Sequence, residues 1–165
     1  MHRLKEKLRG SDAKDAAYTA IGGLQRALDV FNDAAGDLGV PGLQKGITGL
    51  STVLAMIQKS HGNSEDITDL AKKIGDLTTM VRECAELHGS NISPKMQARL
   101  DRLTLSWQSI NDEAVELKSR NKLLRIIKAD EEAEKIASFV QGLSWSIQSF
   151  MVEGTLAIEF ALDVC

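Results

Sequence analysis

Apolar residues in this chain recur at alternating steps of four and three from about residue 17 to residue 150, and no stretch alternates at steps of two. Steps of three and four keep side chains on one face of a helix with about 3.6 residues per turn, whereas a half-buried strand needs period two. The pattern predicts an all-α protein in which every helix buries one stripe. A first helix is predicted over 11–37, capped by Ser11 or Asp12, with Ala17, Ile21, Leu24, Leu28, Phe31, Ala35 and Leu38 inward and a stop at Gly39 and Pro41. A second starts at Pro41, buries Leu43, Ile47, Leu50, Leu54 and Ile57, and ends at HGN, 61–63. A third, capped by Asn63 or Ser64, carries Ile67, Leu70, Ile74, Leu77, Val81 and Cys84 to about Leu87. Ser93 and Pro94 open a fourth, with Met96, Leu100, Leu103, Trp107, Ile110, Ala114 and Leu117 inward, which breaks between Lys118 and Ala129. The fifth starts at Asp130, ahead of Glu131, Glu132 and Glu134, and buries Ile136, Val140, Leu143, Ile147 and Phe150.

Five helices with mostly short links predict an up-and-down antiparallel bundle of four or five helices. With 165 residues there is material for one domain and one core. We expect a basic segment over 1–10 and a single helical domain over 11–165, the N-terminal part of a longer polypeptide, because LAIEFALDVC ends apolar. A net charge of -3 excludes general nucleic-acid affinity, which needs a strongly basic face. The start MHRLKEKLRG has no apolar run after its cations and so is not a secretory signal. Cys84 and Cys165 form no CxxC pair, which suits the cytosol, and Cys84 reads as a small core residue.

Two stretches are apolar enough to raise the question of membrane insertion. Gly42 and Gly46 form a literal GxxxG, Gly49 follows, and only thirteen residues separate Lys45 from Lys59. At ~1.5 Å per residue these cover about 20 Å, short of a hydrocarbon core of roughly 30 Å. The glycines therefore predict close helix packing, with a lipid-associated oligomer as the sharper alternative. The second stretch, IASFVQGLSWSIQSFMV at 136–152, carries no charge, but Gln141, Ser144, Gln148 and Ser149 gather opposite its apolar stripe, the pattern of a bundle helix with one wet side. Trp145 falls on that polar side, either as a second contact surface or as an interface anchor.

Chemistry-bearing motifs are missing. His2, His61 and His88 share no helical spacing, there is no HExxH, and the glycines at 42–49 lack the GK[ST] of a phosphate loop. We expect no catalytic residues, no metal and no cofactor. What stands out instead is cationic. KSRNKLLRIIK, 118–128, carries Lys118, Arg120, Lys122, Arg125 and Lys128 with no acid, interleaved with leucine and isoleucine. Such a mixture suits an anionic lipid surface, where each cation contributes about 1 kcal/mol. It equally suits a solvated junction pairing with the acids at 130–134. Arg3, Lys5 and Lys7, around Met1, Leu4 and Leu8, mark either a small lipid-touching helix or a frayed terminus.

From about Asp15 to Leu162 the order and turn chemistry of DLGVPGLQKGITGLSTVLAMIQ, HGNSEDITDLAKKIGDL and RIIKADEEAEKIASFVQGLSWSIQSFMV resemble the HeLo-like N-terminal domains shared by the mixed lineage kinase domain-like pseudokinase, plant resistance coiled-coil domains and fungal nucleotide-binding receptor-like proteins, the fungal branch most of all. The resemblance implies a four-helix bundle with an additional brace-like helix. It also implies a cell-death or signalling effector, restrained by a downstream sensor or NTPase domain of the same chain, that oligomerises with itself on activation and engages or permeabilises anionic phospholipid membranes. In location this implies a cytoplasmic protein recruited to the plasma membrane. Lys118 to Lys128 is the nearest equivalent of that family's basic clusters, while the charged first ten residues depart from the apolar segment that several members insert. The alternative is a protein-binding adaptor bundle that never touches lipid.

Overall fold

The computed structural model describes the backbone at 2–39, 41–60, 64–88, 92–124 and 129–160, and side chains at 12, 14–39, 42–59, 64–87, 92–120 and 131–153. Among these residues there are six helical segments and no strand: α1 (His2–Leu38), α2 (Pro41–Gly49), α3 (Ser51–Ser60), α4 (Ser64–His88), α5 (Pro94–Leu124) and α6 (Ala129–Phe160). The all-α expectation holds, and the predicted stripes form the core. Every stripe residue of α1, α4 and α6 is buried, Cys84 included.

Two boundaries differ from the reading of the sequence. First, α1 begins at His2 rather than near Ser11. The residues ahead of Ser11 are mostly Leu, Lys, Glu and Arg, good helix formers, so the helix extends backward through them. Second, the helix expected over 41–60 is interrupted at Leu50. There the Leu50 N–H donates to the Ile47 carbonyl (3.1 Å), three residues back, and the Leu54 N–H to the Leu50 carbonyl (2.9 Å), four back. One tightened turn after Gly49 re-aims the chain without ending the helical arm. The described part of α5 ends at Leu124, inside the interval from Lys118 to Ala129 where a break is expected, and residues 125–128 lie outside the described residues.

The remaining ends follow capping chemistry. Gly39 closes α1 with a left-handed φ of 67° and donates its N–H to the Gly36 carbonyl (3.2 Å). At α5 the Met96 N–H donates to Ser93 Oγ (3.2 Å), with Pro94 as the first helical residue.

Spatial order departs from chain order. α1 lies beside α2, and α5 beside α6, as short links require, but α4 packs chiefly on α1 and also on α6, with no close backbone approach to α3 or α5 among the described residues. A short link limits how far a helix can travel, while its apolar stripe selects the partner. The short α2 and α3, of 9 and 10 residues, are too brief to cover the stripe of the 37-residue α1, and the 25-residue α4 does so.

At the centre lies Trp107 of α5, wholly buried beside Phe31 of α1. Their rings meet edge to face, 5.7 Å between centroids at 70°. The indole N–H donates to Ser146 Oγ on α6 (2.8 Å), and that part-buried hydroxyl donates onward to the Leu143 carbonyl (2.7 Å), so both polar groups are satisfied. Thr78 and Thr104, also buried, bond back to the carbonyls of Ile74 (2.8 Å) and Leu100 (2.9 Å).

The glycines of the GxxxG stretch behave differently from one another. Gly46 is buried, and a Cβ placed on it would lie 3.1 Å from Thr104 Cγ2. At Gly49 the nearest atom would be Asn111 Nδ2 at 3.9 Å, an ordinary contact. Gly42 is exposed with open space around it, so it takes no part in close helix packing, because it sits at the outer side of the first turn of α2. Thr104 is β-branched and its hydroxyl is engaged, so it yields little. We therefore expect Gly46→Ala to be neutral or destabilising despite the helix propensity of alanine, and Gly46→Leu to cost roughly 1–3 kcal/mol by overpacking. Gly75 on α4 is exposed with nothing near its missing Cβ. Gly75→Ala should stabilise by about 0.5–1 kcal/mol. Thermal unfolding of the variants checks both signs, and an equal gain from Gly46→Ala and Gly75→Ala would refute the contact argument.

Candidate functional site

The antiparallel register of α5 and α6 builds an open surface feature. Trp107 pairs with Ser146, a Cβ on Gly142 would approach Ile110 Cδ1 to 3.1 Å, and Arg99 reaches Phe150, so residue numbers fall on one helix as they rise on the other. Along this seam runs an open trough of about 1040 Å³. Gly142, Ser146 and Ile110 lie along it, Trp145 and Leu105 stand beside it, and Arg102 and Glu153 line it as well. Trp145 is 74% exposed and Leu105 63%, high values for side chains of this size.

Near the C-terminal half of α6 four groups interlock. Arg99, buried, donates through one guanidinium nitrogen to the Phe150 carbonyl (2.6 Å) and lays its guanidinium over the Phe150 ring, 4.4 Å from the centroid. Its Nε lies 3.9 Å from Glu153 Oε2, and the same oxygen accepts from Arg102 at 2.6 Å. Sharing one carboxylate places two guanidiniums side by side, Arg99 as an internal strut and Arg102 on the surface. On the other flank Lys73 of α4 donates to Ser144 Oγ (2.6 Å) and pairs with Asp69 (2.9 Å), which ties α4 to α6.

The cations singled out in the sequence stand apart from this trough. Lys118 and Arg120 are exposed near the end of α5. Lys122 is within α5 and Arg3, Lys5 and Lys7 are within α1, but their side chains lie outside the described residues, as do Arg125 and Lys128 altogether. Sequence reasoning located Trp145 on the wet side of its helix but not the Arg99, Arg102 and Glu153 cluster. A local signal existed for the arginines, which are three apart and so share a face of α5. Nothing local connects them to an acid fifty-one residues after Arg102.

No group of three or more His, Cys, Asp or Glu side chains able to hold a metal occurs among the described residues. No helix among the described residues is long and apolar enough to cross a membrane. Compared with protein families, with curated proteins and with solved structures, the chain matches none.

Proposed function

We propose that this chain is a non-enzymatic signalling effector bundle that associates with itself and with anionic membranes, the lipid contact being made by the cationic end of α5. The observation that carries this reading is the exposure of Lys118 and Arg120 at the head of a stretch, 118–128, that holds five cations and no acid. Each cation near an anionic headgroup layer contributes about 1 kcal/mol, so five acting together suffice for salt-sensitive recruitment even though the chain as a whole is acidic. Membrane engagement of this kind is peripheral or requires rearrangement. The family resemblance supplies the biological setting, a cell-death or immune effector in the cytoplasm whose recruitment to the plasma membrane is released by a downstream sensor.

Co-sedimentation of the purified chain with phosphatidylcholine vesicles, with and without phosphatidylserine or phosphoinositide, tests the proposal. Binding should require the acidic lipid and fade between low and physiological salt. Reversing Lys118 and Arg120 to glutamate should weaken it by about tenfold or more. Reversing Lys122, Arg125 and Lys128 as well should abolish it with the helical content unchanged. Vesicle binding indifferent to those substitutions would sink the assignment.

A second reading, a protein-docking adaptor, is favoured by a separate observation: Trp145 and Leu105 stand exposed beside a trough whose walls offer hydroxyls and amides. Tryptophan in such a position is a common anchor of protein interfaces.

A further inference from the structure

The trough between α5 and α6 has three properties that together select the chemistry of a partner. It is long: its lining runs from Arg99 to Ile110 on α5 and from Ser138 to Glu153 on α6. At a rise of ~1.5 Å per residue these spans are about 17 and 22 Å. It is amphipathic, with Leu105 on one helix and Trp145 on the other exposed beside the polar side chains of Ser109, Gln141 and Ser149. And its charge is opposite to that of the chain. Among the described lining residues Arg99 and Arg102 share the single acid Glu153, while Lys73 is already paired with Asp69, which leaves one cation in excess on a chain of formal net charge -3.

Arg102 is the accessible reader of that charge. Its side chain is 60% exposed, and its contact with Glu153 runs through a single guanidinium nitrogen. An arginine fork offers five N–H donors in a geometry matched to a carboxylate, so donors remain for a second acid arriving from outside.

We infer that the trough receives an acidic amphipathic helix of about 15 residues from a partner protein. Large aliphatic residues of that helix seat against Trp145 and Leu105, and an Asp or Glu beside them pairs with Arg102. The inference deepens the protein-docking reading and rests on it. A flat lipid surface would touch Trp145 but would leave the seam beside Gly142 and Ser146 uncovered, whereas a helix ridge enters a trough between two helices.

The purified chain is titrated into three fluorescein-labelled synthetic helices with the same leucine pattern, whose remaining positions are glutamate, glutamine or lysine, and binding is read by anisotropy at low and physiological salt. The glutamate helix should bind most tightly and the lysine helix least. Trp145→Ala and Arg102→Gln should each weaken the glutamate helix by about tenfold, with unchanged circular dichroism. Trp145 emission should shift to the blue on binding, while the wholly buried Trp107 contributes a constant background.

Equal affinity for the glutamate and glutamine helices, still lost in Trp145→Ala, would overturn the acidic assignment and leave the docking reading standing. Failure of all three helices to bind, or binding indifferent to both Trp145→Ala and Leu105→Ala, would overturn the docking reading together with the inference. Loss of acidic-vesicle sedimentation in Trp145→Ala, without any peptide binding, would assign this face to lipid instead.

Discussion

Trp107→Ala is expected to lower the stability of the bundle by about 3–5 kcal/mol, a large fraction of the total stability of a domain this size. Trp107 is wholly buried and is the largest side chain in the core. Removing it deletes the edge-to-face contact with Phe31 and opens a void among helices that cannot close around it independently, because Trp107 sits where α1, α5 and α6 converge. For a chain of 150–250 residues each kcal/mol shifts the midpoint by roughly 2–4 °C, so the melting temperature should fall by ~10–15 °C. Trp107→Phe is the informative companion. It keeps an aromatic ring against Phe31 and leaves Ser146 still bonded to the Leu143 carbonyl, so the loss should be smaller, roughly 1–2 kcal/mol. Calorimetry on both variants decides the matter. A fall under about 3 °C for Trp107→Ala would mean that the core repacks freely around the vacancy.

Arg99→Ala should cost about 2–4 kcal/mol, an unusual figure for a charged residue. Three quantities support it. The guanidinium is buried, it makes a short charge-assisted bond to the Phe150 carbonyl, and it lies over the Phe150 ring. A bond to a charged group contributes about 1.5–3 kcal/mol and a desolvated cation–ring contact up to about 2, with overlap between them. Surface ion pairing makes only a small addition, since Glu153 is half exposed and keeps Arg102 in the variant. The effect should therefore persist at high salt, which screens exposed pairs but not this buried strut. Urea unfolding at low and high ionic strength measures both the size and its salt dependence. A loss that vanishes at high salt would show that Arg99 acts as a surface charge. Arg99→Met, which restores bulk without charge, should recover part of the loss by filling the same space.

The elements themselves were legible without coordinates because an amphipathic helix writes its buried face locally. Ile67 through Cys84 and Ile136 through Phe150 are spaced at threes and fours in the chain and are buried in the fold for that same reason. Leu54, Ile110 and Leu117, at the end of the same logic, are only partly buried, since a stripe indicates a direction and not how completely a neighbour covers it. Val53, Met56 and Phe139 are buried although they lie beside the stripes. The polar side of α6, with Trp145 on it, was likewise visible from spacing alone.

Other features required the assembled bundle. That α4 turns to α1 and α6 rather than to its chain neighbours depends on the lengths and stripes of helices far apart in sequence. Gly46 and Gly42, identical in type and one helical turn apart, differ because one is buried against Thr104 and the other faces open space. Arg99, Arg102, Phe150 and Glu153 form a cluster because the antiparallel register of α5 and α6 sets residues about fifty apart at contact distance. What this sequence determined by itself was therefore helix content, the stripes and the wet faces, all consequences of short-range geometry along one chain. The tertiary structure alone decided which faces meet, in what register, and hence where a trough with an exposed tryptophan and a shared carboxylate lies, because those depend on long-range packing that no local pattern encodes.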